Sequence, residues 1–548
     1  MLFTRQGNYA YSCPAKAMPL ICRSTGINNG QLRLPVAAQD LLPQKICKGF
    51  GTANNFENFL EQPYAWDFQE TKCKRRKSMT DYAMIINGKK VLSDTTFDVV
   101  NPATGDVFAK CPRATIEQLD EAVAAARKAF PGWSALADDQ RVKIMNRIAG
   151  IIEQNQAELA GLITREQGKP LSGPGSMFEV GGCMAWTQVT ASMKLEPELV
   201  DDNPEDTIEL YRKPIGVVGS ITPWNWPLLI AVWHIMPALR VGCTVVLKPA
   251  SYTPLATLRL VELINEALPP GVLNVVSGSS EIGNAMSAHK GIDKIVFTGS
   301  IPVGQTIMGR AASNLKSLTL ELGGNDAGII LPGTDVTPLL EPLFWGCFIN
   351  AGQTCAALKR LFVHEDDYED VCQKFTDYVT KIPVGDGMDE KNLIGPLGNG
   401  PQLETVKQYV DDAREKGARV LCGGTPCSGP GYFYPLTLVA DVTDDMDLVK
   451  EEQFGTALPI IKYATVDEAV QRANSLDVGL GGSAWSNDPE KAKAVAMRLE
   501  AGTVWVNAHG KLHPMAPFGG VKSSGIGSEF GLEGLKAYTV NQVVSVAK

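Results

Sequence analysis

At 548 residues the chain exceeds one ordinary core, so two or three domains are expected, and 44% hydrophobic with 20% charged residues describes an ordinary soluble globular protein. A net charge of −9 argues against a nucleic-acid partner and offers no basic face to a membrane. The 12 cysteines form no CxxC pairs and only five histidines accompany them, which fits free thiols in a reducing compartment better than a disulfide framework or a zinc site.

Residues 1–78 carry 11 Lys/Arg against 5 Asp/Glu, have no acid before Asp40, and end in KCKRRKS. This acid-poor stretch reads as a poorly structured N-terminal extension: an organelle transit peptide, a tail, or the product of an unused upstream start. Met79, in MTDYAMIINGKKV, reads like a natural start. The expected location is cytoplasmic, or mitochondrial if the extension is a targeting leader.

Next comes a long helical region, TIEQLDEAVAAARKAF through GIIEQNQAELAGLITREQ, with apolar residues at helical spacing. LEPELVDDNPEDTIELYRKP is acidic and then β-like; with the C-terminal AYTVNQVVSVA it reads as strand material outside the cores, suited to an oligomer contact. Pro214 to Leu239 holds no Lys, Arg, Asp or Glu over a length that would cross a bilayer. Pro223, Pro227, Pro237 and His234 argue instead for a buried strand, a turn and a helix.

From Tyr211 to Gly324 the pattern alternates: IGVVGSI, CTVVLK, GVLNVVSG and KIVFTG as strands, with helices between. TPLATLRLVELINEAL is expected to start with Thr253 at the cap and Pro254 in the first turn. Such alternation predicts a parallel sheet wrapped by helices, with ligands at the carboxyl ends of the strands. A second α/β region runs from about Asp326 to Ser523.

Chemistry-bearing signals sit at the predicted strand ends. FTGSIPVGQT spaces Gly299 and Gly304 like a P-loop but has Gln305 where the lysine belongs, so a dinucleotide fits better than ATP. No GxGxxG is present; GIGSEFG misses by one residue. Lys248 closes a strand, where it is either simply solvated or holds ribose hydroxyls. Asn225, between two tryptophans, is a turn former or a donor to an oxyanion. Glu321 is a structural strand end or a general base with a raised pKa. Cys355, in FINAGQTCAALKRL, is a packed thiol or a nucleophile. Cys347 reads as packing only.

With ITPWNWPL, VLKPASYTPL, FTGSIPVG, LELGGNDAGI, NAGQTC, EEQFGTALPI and PFGGVKSSGIG in this order, the chain resembles the NAD(P)-dependent aldehyde dehydrogenase superfamily from about Met79 to Lys548. The resemblance implies an α/β protein: a Rossmann-like parallel-sheet cofactor domain (79–195 and 216–323), an α/β catalytic domain (324–523), and a small β oligomerisation extension (196–215 and 524–548). It implies Cys355 as nucleophile, Asn225 and the Cys355 N–H as oxyanion donors, and Glu321 as the base that hydrolyses the thioester. Thr222, Trp224, Lys248, Ala250, Ser251, Gly299, Ser300, Leu322, Glu452 and Phe454 would bind NAD or NADP. NAD is the favoured cofactor, with dual use open because Ser251 stands where NAD-preferring relatives carry Glu. Thr456 replaces the usual Pro of Phe-Gly-Pro, and Ser528 the usual Arg of Gly-Arg-Glu.

The substrate walls implied are Trp226, Ile230, Trp233, Ile349, Thr354, Ala356, Leu512 and Phe518. They are mostly apolar and include no arginine for an ω-carboxylate. A neutral, medium-sized aliphatic or aromatic aldehyde is therefore expected, with a homodimer or homotetramer as the assembly and no nucleic-acid, membrane or metal partner. The rivals are a succinate-semialdehyde-type or CoA-acylating dehydrogenase, or a catalytically silent binding relative.

Overall fold

Two β-branched runs, VVGSI and TVVLK, are buried at every position, and they form the centre of the first sheet. The computed structural model describes residues 82–548; the extension 1–78 and the Met79 start lie outside these. The sheet has eight strands in the order Lys89–Val91, Met84–Ile86, Leu273–Val275, Thr244–Lys248, Val217–Ile221, Lys294–Thr298, Ser317–Glu321, Gly525–Ile526. The five from Leu273–Val275 to Ser317–Glu321 are parallel, and the outer three are antiparallel additions. Strand order reverses between Val217–Ile221 and Lys294–Thr298, opening a crevice at their carboxyl ends.

The apolar stretch from Pro214 to Leu239 is core. Its strand is wholly buried, and the helix Pro227–Val241 buries 13 of its residues between the sheet and the N-terminal helices. Proline at the first helical position and a left-handed Gly242 past the end bound that helix. Among the described residues no helix is long and apolar enough to cross a membrane. The N-terminal helices Ile116–Ser134, Asp138–Gln154 and Gln156–Gln167 follow the predicted spacing, the first with a Thr115/Gln118 capping box.

The second sheet orders Arg419–Cys422, Thr437–Ala440, Ala457–Tyr463, Leu358–His364, Asp326–Ile330, Gly481–Trp485 and Thr503–Val506, parallel except for its first pair. The helix Tyr368–Val379 presents Tyr368, Val371, Cys372, Phe375 and Val379 to that core, one helical face. A third, antiparallel sheet stands apart: Thr539–Ala547, Asp206–Pro214 and Glu198–Asp202.

Two expectations are corrected. Thr253 does not cap the helix Leu255–Ile264, because its hydroxyl donates to the Trp224 carbonyl. The cap is Glu166, whose carboxylate accepts from Leu255 N (2.7 Å) and Ala256 N (2.9 Å). The segment 524–548 is not all oligomerisation strand either. Gly525–Ile526 pairs with Leu320 and Glu321 on the edge of the first sheet, and the helix Gly531–Lys536 packs on Pro227–Val241.

Candidate active site

The turn after Val217–Ile221 places Asn225 over the crevice. Its carbonyl accepts from Lys169 Nζ and Asn350 Nδ2, both at 2.8 Å, and its own Nδ2 donates to Gln353 O at 2.9 Å. Lys169 is fully buried, pairs with Glu179 at 2.5 Å and lies 3.5 Å from the Trp226 ring centroid. The other oxygen of Glu179 accepts from Leu228 N and Leu229 N at the start of the following helix. Nothing local in the sequence marks Lys169, Glu179 or Glu166, since their partners lie far along the chain.

Cys355 follows the helix Leu340–Phe348 and a single tight turn, Ile349–Gly352. Asn350, Ala351 and Gly352 are successively left-handed, at φ of 54°, 58° and 74°. Asparagine and glycine tolerate that conformation; Ala351 costs about 1–2 kcal/mol there. The turn is held by Gln353 Nε2 donating to Asn350 O and by Gly398 N donating to Gln353 Oε1. A Cβ on Gly352 would collide with the Gly455 carbonyl. Ala356 and Ala357 are buried behind the half-buried Cys355, and Cys347 is core. Burial pushes the Cys355 thiol up to about 12, with Lys359 opposing and Glu321 adding to the rise.

Glu321 closes its strand with both carboxyl oxygens buried and without a hydrogen-bond partner among the described residues. Burial, and then the neighbouring Glu529 carboxylate, hold its pKa well above the usual range. Glu529 in turn lies 3.1 Å from His234 Nε2, and His234 also bonds Ser220 (2.8 Å) and Thr298 (3.1 Å). Glu529 was legible only as part of a departing Gly-Ser-Glu motif.

The expected cofactor residues gather at the same crevice. Thr222 N donates to Lys248 O, and the Thr222 hydroxyl is buried without a partner among the described residues. Lys248 is buried, among the described residues its ammonium bonds only its neighbour's carbonyl, and burial lowers its pKa to about 8. Ala250 and Ser251 follow it, both half-buried. Gly299 N is already committed to Glu321 O (3.0 Å), so an anion would meet the next N–H groups, where Ser300 leads into the helix Ile301–Ala311 without a side-chain cap. Gly304 packs on Leu322. Trp224 meets Phe454 edge-on at 5.5 Å, and Glu452 reaches back to Gly324 N. An unpaired buried cation, an orphaned hydroxyl and an open helix start fit a ribose and a phosphate.

Trp226, Ile230, Trp233, Ala356 and Phe518 belong to one apolar cluster, with Ile349, Leu512 and Cys355 packed against it, and Trp226 Nε1 donates to Thr354 Oγ1. Ile230 and Ala356 expose almost no surface. Phe178, Trp186 and Phe530, not anticipated from the motifs, complete the aromatic wall against Trp226 and Trp233. Among the described residues no His/Cys/Asp/Glu group is arranged to hold a metal ion.

The family model for the aldehyde dehydrogenase family matches residues 90–544. A phenylacetaldehyde dehydrogenase of Pseudomonas fluorescens is 40% identical over 85% of this chain and 96% of its own. An NAD+ complex of aldehyde dehydrogenase from Bacillus cereus superposes with a TM-score of 0.83 at 37% identity, covering 85% of this chain and 96% of that one. An NADP-dependent enzyme of Escherichia coli gives 0.83 at 33% identity over 86% and 99%. The fold and these likenesses define an oxidoreductase that acts on aldehydes with NAD(P). The chain belongs to the aldehyde dehydrogenase family.

Proposed function

We propose that the protein oxidises neutral, medium-chain aliphatic or aromatic aldehydes to carboxylic acids through a thioester on Cys355. The observation that carries this reading is the pairing of a half-buried thiol just past a strained turn with a buried Glu321 carboxyl that has no hydrogen-bond partner among the described residues and whose charge disfavours the thiolate. Cys355 Sγ adds to the carbonyl carbon as its proton is released to solvent. Asn225, anchored by Lys169 and Asn350, offers its amide to the new oxyanion. The bound nicotinamide supplies the hydride acceptor. Glu321 then takes a proton from water as that water attacks the thioester, releasing acid and restoring the thiol.

The apolar and aromatic cluster supports a neutral substrate, and the relative named phenylacetaldehyde dehydrogenase supports an aromatic one. We assign Lys248 and Glu452 to the two riboses, Gly299 and Ser300 to the pyrophosphate path, and Thr222, Trp224, Ala250, Leu322 and Phe454 to the remaining walls. NAD is favoured and NADP admitted, because Ser251 brings no charge against a 2′-phosphate. The outlying three-stranded sheet supports a homodimer or homotetramer, and free thiols suit the cytoplasm or a mitochondrial matrix.

The test is a panel of hexanal, phenylacetaldehyde, benzaldehyde and succinate semialdehyde against both cofactors, with and without CoA. NAD(P)H production led by the neutral aldehydes and abolished in Cys355→Ala is expected. Preference for succinate semialdehyde would overturn the substrate assignment, a CoA requirement the hydrolytic step, and full activity in Cys355→Ala the mechanism.

A further inference from the structure

Four residues past the nucleophile, in CAALKR, the chain carries Lys359 into the interior: it is 2% exposed. An ammonium has three protons to place and no acceptor of its own. Lys359 Nζ lies 2.9 Å from Thr354 O, 2.6 Å from Cys355 O and 3.1 Å from Glu452 Oε1. It also sits 5.8 Å from the Phe454 ring centroid. The same two segments meet twice more: Gln453 Nε2 donates to Lys359 O at 3.0 Å, and Gly352 abuts the Gly455 carbonyl. One buried cation thus bonds the backbone of the nucleophile and the carboxylate assigned to the nicotinamide ribose.

We propose that Lys359 is a positioning residue that couples the two halves of the site, fixing the Thr354–Cys355 peptide for attack and presenting Glu452 to the cofactor. Its grip on Glu452 Oε1, shared with Gly324 N, leaves Oε2 as the oxygen open to a ribose hydroxyl. The carboxylate depends on this partner: burial pushes the Glu452 pKa up, and Lys359 heads the groups that oppose the rise. The thiol feels both charges, Lys359 favouring the thiolate and Glu452 disfavouring it. A lysine that merely filled space would exert neither effect, and its removal would leave thiol chemistry and cofactor affinity in place.

The cofactor part rests on the ribose assignment above; the thiol part does not. Purified full-length protein, without aldehyde or cofactor, is alkylated with iodoacetamide at fixed pH, and modification at Cys355 is followed by peptide mass spectrometry. Lys359→Met is expected to slow alkylation about threefold or more, the net of a thinner thiolate population and a more nucleophilic sulfur. Glu452→Gln is expected to speed it, and Lys359→Arg to restore it toward wild type. NAD+ binding, read by tryptophan fluorescence, is expected to weaken about tenfold or more in Lys359→Met and in Glu452→Gln.

Alkylation moving in the same direction in both neutral variants, or in neither, overturns the coupling, and so does wild-type NAD+ affinity in folded Lys359→Met. If Lys359→Met does not fold, faster alkylation and weaker NAD+ binding in Glu452→Gln carry the test, and their absence sinks it. A chain that oxidises none of the aldehydes would refute the proposed reaction while leaving the opposed alkylation shifts to stand or fall separately.

Discussion

A carboxyl group that receives no hydrogen bond and sits beside a second carboxyl holds its proton to higher pH than a solvated one. Glu321 is in that position, and its charged form is what a deacylation base needs. Acid release is therefore expected to rise with pH through a range well above the usual carboxylate value. Glu529→Gln removes the like charge and should shift that limb of the pH profile toward acid; an unmoved limb would place the titration elsewhere. Glu321→Gln should slow turnover by about 10²–10⁴-fold and let an acyl-enzyme accumulate, visible by intact mass. Glu321 itself was legible in sequence because it ends a strand before two glycines. The link to its neighbour Glu529 was not, because the contact joins residues far apart along the chain.

The helix Leu255–Ile264 shows the same limit at the level of an element. Thr253-Pro254 before an apolar run is a sound local start signal. The two N–H groups nevertheless take Glu166, because a buried helix start needs an acceptor with no route to water, and Thr253 Oγ1 is turned toward Trp224. Glu166→Ala strips both bonds and is expected to destabilise the protein by about 2–4 kcal/mol. Hydrogen exchange should show the loss first at the amides of 255–264, with Glu166→Gln milder. Equal protection in the alanine variant would mean that water or another group satisfies the cap. The strands themselves were readable, since runs such as VVGSI and TVVLK need no distant partner to declare burial.

At the scale of the molecule, order of motifs along the chain was enough to name two α/β regions and an outlying β extension. It could not show which strand ends face one another. The outlying sheet leaves Leu199, Val200, Val540, Val543 and Val546 exposed, Val200 at a bulge in the pairing of Glu198–Asp202 with Asp206–Pro214. Such apolar surface on an edge-bearing sheet would be stabilised by burial against another copy, in keeping with the proposed homo-oligomer. Val543→Glu with Val546→Glu is expected to yield smaller assemblies by light scattering while the far-UV spectrum is kept. An unchanged mass would remove this sheet from the assembly interface.

The pairing of Gly525–Ile526 with the strand that ends in Glu321 also sets an order of events during synthesis. The central parallel strands, the nucleophile turn and Lys359 have all left the ribosome before the residues that close the edge and bring Glu529 against Glu321. At about 5–20 residues per second, the chain between Glu321 and Glu529 takes on the order of ten seconds or more to make. Through that interval the growing polypeptide carries Cys355, and Glu321 without the Glu529 carboxylate beside it. The surroundings that raise the Glu321 pKa are thus completed only when the C-terminal segment has been made.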